Sequence, residues 1–178
     1  MAEETKRGGA PQEALLELRH IRKVFNAGTV SEMEVFHDFS LTIHKGEFIS
    51  VVGSNGSGKT TTLNLLCGSL MPDAGQILLH GTDITKMPEY KRAAFFGRVF
   101  QDPAKGTCPT MTILENMSLA DNKGRPFGLG RGVNRKKLDE YKQQLELLHL
   151  GLEDKIDLPV GVLSGGQRQA LALLISTM

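Results

Sequence analysis

The stretch "GEFISVVGSNGSGKTTTLNLL", residues 46–66, decides the fold, because a glycine-rich loop joins a strand-like run to a helix-like run. Residues 46–52 are nearly continuous in apolar and β-branched side chains, which predicts a strand buried on both faces of a parallel sheet. After the loop, leucines recur at helical spacing over residues 59–70. A buried strand that leads through a loop into a helix is typical of an α/β fold.

The loop itself matches the pattern G-x-x-x-x-G-K-[ST] with Gly53, Ser54, Asn55, Gly56, Ser57, Gly58, Lys59 and Thr60. Its glycines let successive N–H groups turn inward, and the helix that follows points its positive end at the same place. Lys59 adds a point charge for the outer phosphates, and the Thr60 hydroxyl can bind Mg²⁺. The loop predicts a nucleoside triphosphate site and leaves adenine or guanine open. The alternatives are a solvated glycine-rich turn and a dinucleotide loop, for which Thr61 replaces the third glycine.

The remaining patterns predict further strands and helices. Strands are predicted at residues 15–22, 39–44, 76–81 and 97–101, and helices at 87–96, 134–150 and from 164 to the end. Asn134 and Ser164 are the predicted N-caps of the last two helices. Asp73 and Asp83 are predicted to be turn residues.

Composition limits the classes of function. The formal net charge is +1, which does not favour a nucleic-acid partner, and the two cysteines have neither disulfide nor zinc spacing. No run of residues reaches the length of a membrane span, so we expect a cytoplasmic chain. Residues 1–12 are predicted to be a flexible tail, and residues 13–178 to be the folded domain.

A second glycine motif, "LSGGQRQ" at residues 163–169, opens the last predicted helix. Ser164 offers a hydroxyl, and Gly165 and Gly166 let backbone N–H groups approach a ligand closely at a helix start. Taken alone, a serine followed by two glycines is an ordinary helix N-terminus. Its presence in a chain with a phosphate loop favours a second half of a nucleotide site.

Together these motifs resemble the nucleotide-binding subunit of ABC transporters over residues 15–178, with Gln101 in "RVFQDP" as a third match. The resemblance implies that residues 13–100 form an N-terminal antiparallel β subdomain together with the P-loop ATPase core. It implies that residues 101–178 form a helical subdomain, which contains Gln101 and the signature helix. It also implies ATP and Mg²⁺ as cofactors. The implied partners are a second nucleotide-binding subunit, packed head to tail, and transmembrane permease subunits. Such a subunit lies on the inner face of the cell membrane.

The resemblance also implies a role for each matching residue. Phe25 would stack on adenine, although a buried strand-end phenylalanine is a close alternative. Gln101 would reach Mg²⁺ or the attacking water, and the segment from Asp102 to Leu119 would face the permease. The residues implied to bind nucleotide are Phe25, Gly53, Ser54, Asn55, Gly56, Ser57, Gly58, Lys59, Thr60, Thr61, Ser164, Gly165, Gly166 and Gln167; Lys59 and Gln101 would be catalytic, and Thr60 and Gln101 would hold the metal.

In this family an apolar strand ending in Asp-Glu and a switch histidine follow the signature helix, and the sequence ends at Met178. We therefore expect an incomplete core sheet with unpaired strand edges and a marginal fold. A positioned general base is worth about 10²–10⁴ in rate. We expect the chain alone to bind ATP and to hydrolyse it very slowly.

The sequence leaves other interpretations open. A soluble ABC-type ATPase of DNA maintenance would place a long coiled coil between the two motifs, and the interval here leaves no room for one. A nucleotide-binding remnant without turnover is the third candidate. The overall pattern favours an amino-acid-type importer. The basic stretch 122–137 is either a solvated loop or a contact with anionic lipid.

Overall fold

The computed structural model describes residues 13–124 and 132–178, which form two compact units that divide between Arg92 and Ala93. The predicted tail, residues 1–12, lies outside the described residues. The elements of the first unit are β1 (Ala14–Phe25), β2 (Met33–His44), α1 (Lys59–Cys67), β3 (Ala74–Leu79), β4 (Thr82–Asp83) and α2 (Glu89–Arg92). Those of the second are α3 (Ile113–Asp121), α4 (Leu138–Glu146), α5 (Gly165–Thr177) and 3₁₀ turns at Pro103–Lys105, Arg135–Lys137, Glu153–Lys155 and Val160–Val162.

The first unit contains a four-stranded sheet in the order β2-β1-β3-β4, and each neighbouring pair is antiparallel. The strands predicted at residues 15–22, 39–44 and 76–81 are confirmed. A polar stretch, residues 26–32, joins β1 to β2 and makes them a long hairpin. The antiparallel sheet and the helices together confirm the α/β class.

A bulge in β1 changes which side chains face the interior. Leu16 and Leu18 are buried, but the register shifts between Leu18 and Ile21, where His20 has a φ of 52°. The extra residue moves the buried positions from even to odd numbers, so that Ile21 and Lys23 are the next buried side chains.

Two predicted strands do not form. Residues 47–54 and 96–100 belong to no helix or strand, and Phe48 and Val52 expose 97% and 86% of their surface. Extended backbone needs a neighbouring strand to accept and donate its hydrogen bonds. No strand of residues 13–124 or 132–178 pairs with either segment. The prediction of a strand buried on both faces at residues 46–52 is therefore wrong for the described chain, and so is that of a strand at 97–101.

The second unit is helical and has its own apolar core. The core lies among α3, α4 and α5, and the stripe predicted for α4 faces it: Tyr141 and Leu145 are fully buried, and Leu138 and Leu148 pack against the same core. The rest of this core is Ile113, Leu114, Met117, Leu152, Ile156, Val160, Leu163 and Leu171. No described helix is long and apolar enough to cross a membrane.

Two helix starts differ from the prediction. Asn134 makes no side-chain cap bond, because its backbone (φ −93°, ψ 79°) is not in the extended conformation that an N-cap uses. The chain passes through a 3₁₀ turn before α4 begins. The helix predicted at 87–96 is only four residues long, Glu89–Arg92.

The basic stretch 122–137 is described only in part, because residues 125–131 lie outside the described residues. Within it, Lys137 Nζ is 2.8 Å from Asp121 Oδ1.

Candidate nucleotide site

The phosphate loop occupies the turn immediately before α1. Gly56 and Gly58 have φ of 84° and 88°, in the left-handed region that favours glycine. Gly58 is the N-cap of α1, and Lys59 and Thr60 are its first two residues. The local geometry therefore places the glycines where the backbone must reverse and the lysine at the head of the helix.

The ammonium of Lys59 lies over the loop's own backbone. Lys59 Nζ donates to the carbonyl oxygens of Gly53 at 2.8 Å and Ser54 at 2.6 Å, and Ser57 Oγ lies at 3.5 Å. Ser57 N also donates to Ser54 O, at 3.3 Å, and closes the loop. These contacts hold a positive charge at the centre of the turn.

The N-terminus of α1 has no side-chain cap, and its first turn contains no acidic residue. The first N–H groups of a helix lack intrahelical partners and carry partial positive charge. The Thr60 hydroxyl belongs to an exposed residue, and Thr61 is half-buried. A lysine, uncapped N–H groups and hydroxyls form the donor set that a polyphosphate with Mg²⁺ requires.

The α5 start is built differently. Ser164 caps α5 as the sequence predicts: Gln167 N donates to Ser164 Oγ at 3.3 Å, and Ser164 N donates to Gln167 Oε1 at 3.2 Å. Gln167 Nε2 also donates to the carbonyl oxygen of Leu150 at 3.1 Å. This reciprocal capping box fixes where α5 begins.

Neither glycine of this motif is required by the fold of the described chain. Gly165 and Gly166 have no left-handed φ, and a Cβ built on either would meet nothing within 4 Å. Glycine at the start of a helix still has an entropic cost relative to alanine. The two residues present bare, exposed backbone at the tip of α5, which suits close approach by a ligand.

Gln101 is exposed and lies in irregular structure that continues from residues 96–100. The guanidinium carbon of Arg98 is 4.6 Å from the ring centroid of Phe100, next to Gln101. The predicted strand-end setting of this glutamine is not formed, and its predicted role remains a proposal.

Phe25 ends β1, and its ring is half-buried. Lys23 Nζ lies 5.6 Å from the centroid of this ring and 2.9 Å from Asp73 Oδ1. Asp73 Oδ2 accepts a hydrogen bond of 2.7 Å from Val24 N. The sequence patterns predict neither a role for Lys23 nor the pairing of Asp73, which is predicted to be a turn residue. Alternation alone predicts that Lys23 and Phe25 share one face of β1, and the bulge at His20 decides that Lys23 is buried.

These contacts perturb the Asp73 carboxyl. The hydrogen bond from Val24 N, followed by the one from Lys23, holds the pKa of Asp73 below its ordinary value. The carboxylate stays charged at neutral pH and fixes the buried ammonium. The phosphate loop and Phe25 belong to the first unit, and Gln101 and the Ser164 motif belong to the second. No cluster of three or more His, Cys, Asp or Glu side chains suited to a metal occurs among the described residues.

A family model described as ABC transporter matches residues 36–178. The tyrosine transport ATP-binding protein of Clostridioides difficile is 43% identical over 164 residues, which cover 92% of this chain and 65% of that protein. The spermidine/putrescine import ATP-binding protein of Haemophilus influenzae is 39% identical over 161 residues, 89% of this chain and 38% of that protein. The chain thus spans about two thirds or less of the length of these relatives.

Solved structures agree with the sequence relatives. An ATP-binding cassette of an ABC transporter in its ADP conformation matches with a TM-score of 0.71 and 26% identity, and covers 92% of this chain and 64% of the other. A dimeric post-hydrolysis state of an ATP-binding cassette bound to ADP and Pi matches with a TM-score of 0.71 and 25% identity, over 90% and 68% of the two chains.

Proposed function

This chain belongs to the ABC transporter family, and from that premise we propose that it is the ATP-binding subunit of a transporter, in which ATP binding and hydrolysis drive a solute across a membrane. The observation that carries the proposal is the Lys59 ammonium held at the head of an uncapped helix, 2.8 Å from Gly53 O. A polyphosphate supplies the negative charge that this arrangement lacks. The family's ATPases hydrolyse ATP in general.

Each predicted site residue has a proposed role. The amides and hydroxyls of the loop, residues 53–61, bind the phosphates, and Lys59 neutralises their outer oxygens. Phe25 stacks on the adenine base. Thr60 is the proposed magnesium ligand of the loop, and Gln101 is proposed to orient Mg²⁺ or the attacking water. When bound, magnesium would neutralise negative charge on the phosphate oxygens.

The Ser164 motif is proposed to act on the nucleotide of a second copy. Ser164, Gly165, Gly166 and Gln167 form the tip of α5, and open space beside both glycines suits a phosphate group that a partner chain brings. A two-fold axis would repeat this contact and make two equivalent sites. The solved dimer bound to ADP and Pi shows that a related cassette pairs.

We place the subunit on the inner face of the cell membrane, docked on permease subunits through the segment from Asp102 to Leu119. The division into a β subdomain with the phosphate-loop core (13–100) and a helical subdomain (101–178) is part of the same proposal. The names of the relatives, tyrosine transport and polyamine import, support an importer of small amino-group-containing solutes.

The test is binding of labelled ATP by the purified chain with magnesium present. Lys59→Ala should abolish binding, and Lys45→Ala, which changes an exposed lysine outside the loop, should leave it unchanged. Phosphate release above the Lys59→Ala background separates an ATPase from a protein that only binds nucleotide. A folded chain that takes up no ATP would overturn the proposal.

A further inference from the structure

The end of β1 buries a positive charge. The Lys23 side chain is only 11% exposed. Burying an ammonium is costly unless a partner compensates for the lost hydration. A methionine of similar length would fill the same space without that cost. The chain therefore maintains a cation here, and the groups around it indicate why.

Asp73 compensates the charge and also extends the sheet. The last β1–β3 pair is Arg22 with Ala74, so Val24 lies beyond the end of β3. Asp73 Oδ2 replaces the missing backbone acceptor at 2.7 Å from Val24 N, and its Oδ1 holds Lys23 Nζ at 2.9 Å. One carboxylate thus fixes both the strand end and the ammonium.

The third group is the aromatic ring. After the bulge at His20, Lys23 and Phe25 are two residues apart on one strand, and alternation places them on the same side. The distance of 5.6 Å from Lys23 Nζ to the Phe25 centroid lies within the range of about 6 Å for a cation–π contact. The cation restrains the orientation of the ring.

We propose that Lys23, held by Asp73, is a positioning residue that presents the Phe25 ring to the base of the bound nucleotide. The inference rests on the proposed function, which assigns Phe25 to the base. It adds that the base-binding aromatic is prepared by a carboxylate–ammonium pair whose described hydrogen bonds, from Lys23 and Val24 to Asp73, do not involve residues 53–61. Lys23 and Asp73 therefore affect base recognition and leave phosphate binding unchanged.

The experiment compares two probes on the full chain: MgATP, which has a base, and magnesium tripolyphosphate, which has none. Lys23→Met should weaken MgATP binding by about three- to fivefold, the size of one partly exposed cation–π contact, and should leave tripolyphosphate affinity unchanged. Asp73→Asn should act in the same direction. Lys23→Arg, which keeps the cation, should restore MgATP affinity to within about twofold of wild type.

Arg22 offers a matched control. It is adjacent to Lys23 on β1 but exposed, and its Nε donates to Glu34 Oε1 at 2.8 Å. Arg22→Met removes a cation and an ion pair of the same strand without touching the ring, and both affinities should remain those of wild type.

The outcomes separate this inference from the function on which it rests. If Phe25→Ala weakens MgATP binding and Lys23→Met does not, the positioning role is wrong and the proposed function stands. Equal loss of both probes in Lys23→Met shows a merely structural lysine and also overturns the inference. If Phe25→Ala has no effect, the adenine role itself fails. In the Phe25→Ala background, Lys23→Met should have no further effect on MgATP.

Discussion

Arg92 is completely buried, and its Nη1 donates a hydrogen bond of 2.7 Å to the carbonyl oxygen of Leu65 in the last turns of α1. The same guanidinium donates to the carbonyl oxygens of Leu66, Thr85 and Met87 at 2.8–3.1 Å. Burial lowers the pKa of this guanidinium. A helix C-terminus carries partial negative charge, which the cation offsets. Arg92 thus ties the phosphate-loop helix to the chain that follows β4.

Replacement of Arg92 by methionine should destabilise the first unit by about 2–4 kcal/mol, because it leaves several buried carbonyl groups without donors. Urea denaturation followed by circular dichroism measures the change. Lys91→Met, at the exposed neighbouring position, should change the free energy of unfolding by less than about 0.5 kcal/mol. Equal stability of both variants would contradict this role for Arg92.

Two loop glycines separate backbone strain from steric contact. Gly56 and Gly58 have almost the same φ, but a Cβ on Gly56 meets nothing within 4 Å, whereas one on Gly58 would lie 2.7 Å from Phe36 Cζ. Gly56→Ala should cost about 1–2 kcal/mol for the left-handed backbone alone. Gly58→Ala should cost more, by about a further 1 kcal/mol or above.

The double variant Gly58→Ala, Phe36→Leu tests the steric part. It shortens the side chain that the new methyl group meets, so the loss caused by Gly58→Ala should be smaller in the Phe36→Leu background than in wild type. Thermal unfolding of the four proteins gives the coupling energy. A coupling energy of zero would show that the backbone conformation accounts for the whole effect.

The sequence predicted the local features well. The start of α1 after the glycine-rich loop, the α4 stripe and the Ser164 cap each depend on residues close together in the chain, and all three are as predicted. Patterns that depend on distant partners were less informative. Residues 46–52 have the composition of a buried strand, but a strand forms only beside another, and none of the described strands lies next to them. Asp73 likewise looked like a turn residue, because its bonds to Lys23 and Val24 cross between strands.

Acid should weaken the end of β1. The pKa of Asp73 is lowered in the folded chain, first by the hydrogen bond from Val24 N and then by Lys23. A carboxyl group whose pKa is lowered by folding stabilises the folded state. The full stabilisation is present at pH values above the pKa of the unfolded chain, and it is lost as the pH falls through the pKa of the folded chain. Asp73→Asn should remove this contribution, so wild type and variant should converge in stability as the pH falls below about 4.

The measurement is the midpoint of urea unfolding from pH 7 to pH 2. Wild type should be the more stable protein at pH 7, and the difference should shrink at low pH. Asp38→Asn is the matched control, since its carboxylate is exposed and pairs with the exposed His20 ring at 2.8 Å. A difference between wild type and Asp73→Asn that stays constant with pH would argue against the role of the charged carboxylate.

Gly166→Ala should separate stability from association. The residue has no left-handed φ, and no atom lies within 4 Å of an added Cβ, so the free chain should keep its stability or gain about 0.5–1 kcal/mol. If the tip of α5 meets a partner's nucleotide as proposed, the methyl group of Gly166→Ala occupies the space of a phosphate. The variant should then lose MgATP-dependent pairing, which sedimentation measures.

Ser164→Ala should instead lower the free energy of unfolding by about 1 kcal/mol, because it removes the side-chain cap of α5. Undiminished pairing of a stable Gly166→Ala chain would refute the proposed contact.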